Sequence, residues 1–130
     1  MKERCPCCSG LLYEECCRPY HNGKESPTSL ALMRSRYSAY AKGLVDYIQK
    51  TTHPKSPHYI PDRKKWSAAI LEFTRLSTFV RLEILGYGED WVEFAAHLIQ
   101  GGKPLVLREK SRFEQVQGRW CYLSGDVQLA

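Results

Sequence analysis

Two close cysteine pairs constrain this chain more than any other feature. Cys5-Pro6-Cys7 and Cys16-Cys17 are separated by eight residues, with Cys8 as an extra thiol and His21 just beyond. Two such pairs joined by a short loop place four soft ligands around one tetrahedral metal. Thiolate-rich tetrahedral sites select zinc first, or an iron–sulfur centre. The competing reading is disulfide pairing, since the chain has six cysteines in all. Adjacent Cys16 and Cys17 pair only with strain, and Cys5 to Cys7 closes a very tight ring. The four-cysteine metal knuckle is therefore the favoured reading. Its expected ligands are Cys5, Cys7, Cys16 and Cys17, with His21 as an alternative fourth ligand or a partner just behind them. A closed four-ligand site leaves no position for water, so its expected role is structural.

Length and composition then bound the rest. A chain of 130 residues, 43% hydrophobic and 12% aromatic, can bury one compact core beside a small appendage. Met1-Lys2-Glu3-Arg4 leads straight into the cysteines without an apolar stretch, so no signal peptide is expected. No run approaches a membrane span, and a cytoplasmic protein follows. A reducing cytoplasm in turn favours metal over disulfides. The formal charge of +5 counts cysteines as neutral. Four thiolates subtract four and one zinc restores two, leaving about +3. Lys2, Arg4 and Arg18 then partly offset the anionic site, and net charge alone does not imply nucleic-acid binding.

Beyond residue 22, Asn22 to Thr28 reads as a polar linker. Thr28 caps a helix to about Lys42, stopped by Gly43. Leu30, Met33, Tyr37, Tyr40, Ala41 and Leu44 make one face of it. A second helix covers about Leu44 to Thr51 before a proline-rich loop. Asp62 caps a third, aligning Trp66, Ala69, Ile70 and Phe73. After residue 77 the period changes to two. Strands carrying Val80-Leu82-Ile84, Val92-Phe94-Ala96-Leu98, residues 104 to 116 and Arg119 to Ser124 are joined by short turns. Helices first and a four-stranded antiparallel meander second make an α+β plan, with helices on one sheet face.

Cys5-Pro6-Cys7-Cys8-Ser9-Gly10-Leu11-Leu12-Tyr13, followed by Cys16-Cys17, resembles the SEC-C motif, also found on the C-terminal tail of the SecA translocase, where it binds zinc. Pro27-Thr28, Leu32-Met33-Arg34-Ser35-Arg36-Tyr37-Ser38-Ala39-Tyr40-Ala41, Asp46-Tyr47, His53-Pro54, Ser111-Arg112-Phe113 and Gly118-Arg119-Trp120 are similar to the YchJ-like family. The resemblance spans nearly the whole chain. It implies a zinc knuckle over residues 1–22, then over 28–130 a domain similar to nuclear transport factor 2. That fold is a cystatin-like cone of helices packed on a curved four-stranded antiparallel sheet. Cys8 stands where the motif usually has glycine. The resemblance implies no established activity.

The remaining candidates are weaker. Arg34, Tyr37, Tyr40, Tyr47 and His53 could line a pocket between helix and sheet, although aromatics at helical spacing are more often core. Arg34 and Arg36 point to different faces. His97 sits with Glu93 on the less apolar strand face, expected to be solvated. Arg108, Lys110 and Arg112 share a strand face that could meet RNA or an acidic partner, with a solvated face as the favoured reading. No Ser–His–Asp order, phosphate loop or dinucleotide fingerprint is present. The leading expectation is a zinc-binding, non-catalytic module for protein partners. An enzyme or small-molecule binder using the cone is the alternative, and RNA or ribosome binding is a third. No membrane partner is expected. The short knuckle is expected to unfold locally, leaving residues 28–130 folded.

Overall fold

Side-chain caps set where the long helices begin. In the computed structural model, which describes residues 3–129, a short 3-10 turn at Tyr13–Glu15 and a single-turn helix α1, Arg18–His21, close the cysteine-rich segment. Thr28 then opens α2, Ser29–Lys42, its Oγ1 accepting from the Ala31 N–H at 3.0 Å. Gly43, at φ 70°, ends it in the left-handed conformation that glycine adopts freely. Helix α3 spans Val45–Lys50. Asp62 opens α4, Arg63–Leu76, its Oδ1 accepting from the N–H groups of Lys64 and Lys65.

Strands β1, Ser77–Tyr87, β2, Trp91–Gln100, β3, Lys103–Val116, and β4, Arg119–Leu129, form one antiparallel sheet in the order β1-β2-β3-β4. The meander and the α+β plan agree with the sequence reading, with one difference. The last strand runs on to Leu129, where the sequence suggested a stop at Ser124. Gly125-Asp126 looks like a turn, but Gly125 stays paired, opposite Ser111. A Cβ on Gly125 would stand 2.5 Å from the Glu109 carboxyl, so the missing side chain makes room for that group. A register shift between Arg112 and Phe113 inserts one extra residue into β4. Two more shifts interrupt β1. Such bulges bend their strands and raise the local twist.

Helix α2 is buried on more sides than its expected single face. Leu32, Met33 and Tyr37 pack toward the sheet, while Ser29, Ser35 and Ser38 are fully buried. These small residues let neighbouring backbone approach closely. Ser35 hydrogen-bonds Tyr47 Oη at 2.7 Å, and Ser38 meets the Cys5 sulfur at 3.3 Å. The helix is thus covered by the sheet, by α3 and by the cysteine-rich segment. Cys5, Cys7 and Cys17 belong to the same buried cluster as Leu32, Leu82, Val92 and Leu98. A second cluster joins Ala39, Tyr47 and Ile48 to Trp66 and Ile70 of α4.

Lys2, expected beside the anionic site, lies outside the described residues, as do Met1 and Ala130 at the ends of the two expected segments. Among the described residues no helix is long and apolar enough to cross a membrane.

Candidate metal centre and the neighbouring cavity

The cysteine loop folds back on itself through backbone bonds. Cys5 N–H donates to Leu11 O at 2.9 Å and Tyr13 N–H to Glu3 O at 3.0 Å. This brings the first pair against Cys16 and Cys17. The sulfurs of Cys5, Cys7, Cys16 and Cys17 all lie within 4.8 Å of one another. Cys7 to Cys16 is 3.6 Å and Cys16 to Cys17 is 3.9 Å. A zinc ion with Zn–S bonds of about 2.3 Å requires tetrahedral edges of about 3.8 Å. These separations fit that edge and are far from the roughly 2.05 Å of a disulfide. All six cysteines are free. The donor set and spacing therefore suit a metal ion, and these four cysteines are the residues that would hold it.

Neighbouring groups favour negative charge on Cys7 and disfavour it on Cys16 and Cys17. Arg34 Nη1 donates to Cys7 O at 2.9 Å and approaches the Cys7 sulfur at 3.9 Å. Ser9 Oγ lies 3.1 Å from the Cys16 sulfur. Hydrogen bonds from Cys17 and Cys5 hold the Cys7 thiol well below its usual range despite burial. Burial pushes Cys16 up to about 11. Cys17 is raised as well, first by its hydrogen bonds to Cys5 and Cys7.

His21 is not in the four-sulfur set. Its Nδ1 meets Tyr13 Oη at 2.7 Å and its Nε2 meets Ser35 O at 2.8 Å. A carbonyl only accepts, so Nε2 carries the proton and Nδ1 accepts from the phenol. Burial lowers the His21 pKa, in keeping with a neutral ring. Cys8 also points elsewhere. Its sulfur accepts from the Leu82 N–H of β1 at 3.4 Å.

A cavity of about 500 Å³ lies between the helices and the sheet. Met33, Tyr37 and Tyr40 of α2 and Trp66, Ile70 and Phe73 of α4 form its helical wall. Phe94, Leu98 and Leu107 face them from the sheet, with Glu109 and Ser111 at a polar end. The expected pocket set is divided by the structure. Tyr37 and Tyr40 line the cavity, but Arg34, Tyr47 and His53 do not. Arg34 turns to the cysteine loop, Tyr47 packs between Ser35 and His21, and His53 reaches Glu114 at 3.2 Å. The inward arginine is Arg36. It falls at helical spacing from Met33 and Tyr40, so the signal for it was present in the sequence. Glu109, one strand face away from any helix motif, had no comparable signal.

On the outer sheet face, His97 Nε2 lies 2.5 Å from Glu83 Oε1, and this bond, with Arg81 nearby, holds the exposed Glu83 carboxyl below its usual range. Arg108 pairs with Glu93 at 3.2 Å, and the Lys110 ammonium sits 4.7 Å from the centre of the Trp91 ring.

Residues 28–125 match the family described as YchJ, middle NTF2-like domain. A UPF0225 protein of Serratia proteamaculans is 40% identical over 134 residues, covering 96% of this chain and 84% of its own length. UPF0225 protein YchJ of Shigella dysenteriae is 36% identical over 137 residues, with 96% and 84% covered. The chain belongs to the YchJ (UPF0225) family. A solved SEC-C motif containing protein from Rhodopseudomonas palustris superposes on this YchJ-family chain with a TM-score of 0.79 at 33% identity, covering 94% of this chain and 96% of that one. A second, from Psychrobacter arcticus, shares the fold at a TM-score of 0.73 and 24% identity, with 97% and 83% covered. The nuclear-transport-factor-2-like α+β fold expected from the sequence is thus the fold of this YchJ-family protein.

The glycine that the SEC-C motif usually has at position 8 now has a physical reason. Cys8 adopts φ 63°, a left-handed conformation that costs most residues about 1 kcal/mol or more. The turn keeps its shape and the cysteine bears the strain. Cys8→Gly should leave metal content unchanged and stabilise the protein by about 0.5–1 kcal/mol, read from the urea midpoint. Loss of metal in Cys8→Gly would place that sulfur among the ligands.

Proposed function

We propose that this protein is a zinc-stabilised, non-catalytic interaction module. Cys5, Cys7, Cys16 and Cys17 hold one zinc ion, and the outer turn of the knuckle meets a protein partner. The observation that carries this reading is the convergence of four sulfurs within 4.8 Å of one another, with Cys5, Cys7 and Cys17 buried. Four protein ligands fill zinc's usual coordination, which suits a structural ion and not a metal-bound water. Such a thiolate set persists in a reducing compartment such as the cytoplasm. The turn above it offers Leu11, 52% exposed, beside a backbone braced by the 2.6 Å bond from Arg4 Nη1 to Gly10 O. A fixed apolar knob of this kind suits a protein surface.

Protein purified anaerobically without added metal should contain about one zinc per chain, and Cys16→Ser should lose it. Cobalt substitution should give the absorption of a tetrahedral thiolate site. A zinc content near zero, or one unaffected by Cys16→Ser, would overturn the metal reading. For the interaction, Leu11→Asp should keep zinc and fold yet lose a partner that the unaltered protein captures. Capture should weaken only modestly with salt. A steep salt dependence would favour nucleic acid instead. The basic strand face supports that alternative less, because Arg108 is already paired with Glu93 and Lys110 lies over the Trp91 ring.

A further inference from the structure

We propose that the cavity between the helices and the sheet binds a small monocarboxylate with an apolar, ring-sized body, its carboxylate received by Arg36. This assignment is independent of the zinc reading. It starts from a buried charge with incomplete partners. Arg36 is 8% exposed and faces the cavity. Its Nη1 donates to Ile48 O at 3.1 Å, Thr51 Oγ1 at 2.8 Å and Thr52 Oγ1 at 3.1 Å. Its Nε and Nη2 find no acceptor among the described residues, and no carboxylate there lies within ion-pair distance.

Three neutral oxygens and the face of Tyr122, 4.8 Å from the guanidinium carbon, orient this group without neutralising it. A buried guanidinium is costly unless it is paired, and its planar fork matches a carboxylate. The cavity also carries one negative group, Glu109, which accepts a hydrogen bond from Ser111. The Tyr122 phenol, which lines the same cavity, is raised first by burial and then by this carboxylate. Glu109 already has a hydroxyl partner in Ser111, whereas the open edge of Arg36 has none. The unmet demand at the polar end is for an acceptor. The rest of the lining is aromatic and aliphatic, and a volume of about 500 Å³ suits an organic molecule, not a lone inorganic anion.

The test uses the zinc-loaded full chain and three probes with one body: 1-naphthoate, 1-naphthalenemethanol and 1-naphthylmethylamine. Calorimetry should find the acid bound roughly ten- to hundred-fold more tightly than the alcohol, the scale expected of a charge-assisted hydrogen-bond pair. The amine should bind more weakly still. Glu109→Gln should retain or strengthen acid binding. Arg36→Met should abolish the preference for acid over alcohol, and Arg36→Lys should restore part of it. Arg36 also holds the end of α3, so Arg36→Met could misfold. Ala69→Trp, on the exposed rim of the cavity, then provides the second variant. It leaves Arg36 in place and should block all three probes by filling the space. Equal affinity for acid and alcohol, preference for the amine, undiminished acid binding in Ala69→Trp, or no binding of any probe would each overturn the assignment.

Discussion

Chelating the zinc that we assign to this protein should lower its thermal midpoint by about 15 °C or more, in one transition that includes the sheet. A comparable loss, on the order of 5 kcal/mol, is expected for Cys17→Ser. Residue Cys17 is 1% exposed and Cys7 is 0% exposed, and both share a buried cluster with Leu32, Met33, Leu82 and Leu98. Removing the ion leaves four sulfurs crowded together, three of them inside that cluster. Relaxing them moves the groups they touch: Ser38 of α2 through Cys5, and Arg34 of α2 through Cys7. Helix α2 in turn covers the sheet. The sequence alone suggested a knuckle that unfolds by itself, because the segment is short. The packing gives the opposite expectation, since the knuckle completes the core of the larger unit. Far-ultraviolet circular dichroism of the sheet-rich domain, recorded during melting with and without chelator, distinguishes the two. An unchanged midpoint, or a small early transition followed by the original one, would refute the coupling.

The legible and hidden parts of this molecule divide along physical lines. Local chemistry was legible. Thr28, Gly43 and Asp62 announce helix ends because each satisfies or ends a row of backbone groups within a few residues. Cysteine spacing announces the sulfur cluster for the same reason, since loop closure over eight residues leaves few alternatives. Long-range partnership was not legible. Helical spacing from Met33 and Tyr40 marks Arg36 as the inward arginine, but nothing in the order of residues says that Arg34 will lean on Cys7 or that Arg36 will lie beneath Tyr122. Their 200° separation around the helix predicts different faces, but not which face meets which neighbour. The end of β4 was hidden by Gly125, whose local preference for a turn yields to the space that Glu109 needs. The expected pocket set was drawn on residue type, and the fold sets its members apart. Tyr47 and His53 look functional in sequence, yet each is committed to a nearby hydrogen bond.

Tyr37→Phe should stabilise the protein, by about 1–2 kcal/mol, although it deletes a hydroxyl from a buried tyrosine. The ring of Tyr37 is 5% exposed and packs edge-on against Phe79 at 5.5 Å. Its Oη is buried and, among the described residues, has no hydrogen-bond partner. A hydroxyl that leaves water without gaining a partner costs about 1–3 kcal/mol, whereas the phenyl ring keeps every apolar contact. Burial is also the first reason that its pKa is raised, with the nearby thiols of Cys8 and Cys7 adding to it. The urea midpoint should rise with an unchanged slope, because the two proteins bury nearly the same surface. A fall in the midpoint would mean that the phenol has a partner after all. The same variant also locates the polar demand of the cavity. If Arg36 alone receives the carboxylate, 1-naphthoate should bind Tyr37→Phe as it binds the unaltered protein, because the lining ring is retained. Stabilisation accompanied by lost binding would instead assign the unpartnered phenol to the ligand, and its energetic cost to recognition.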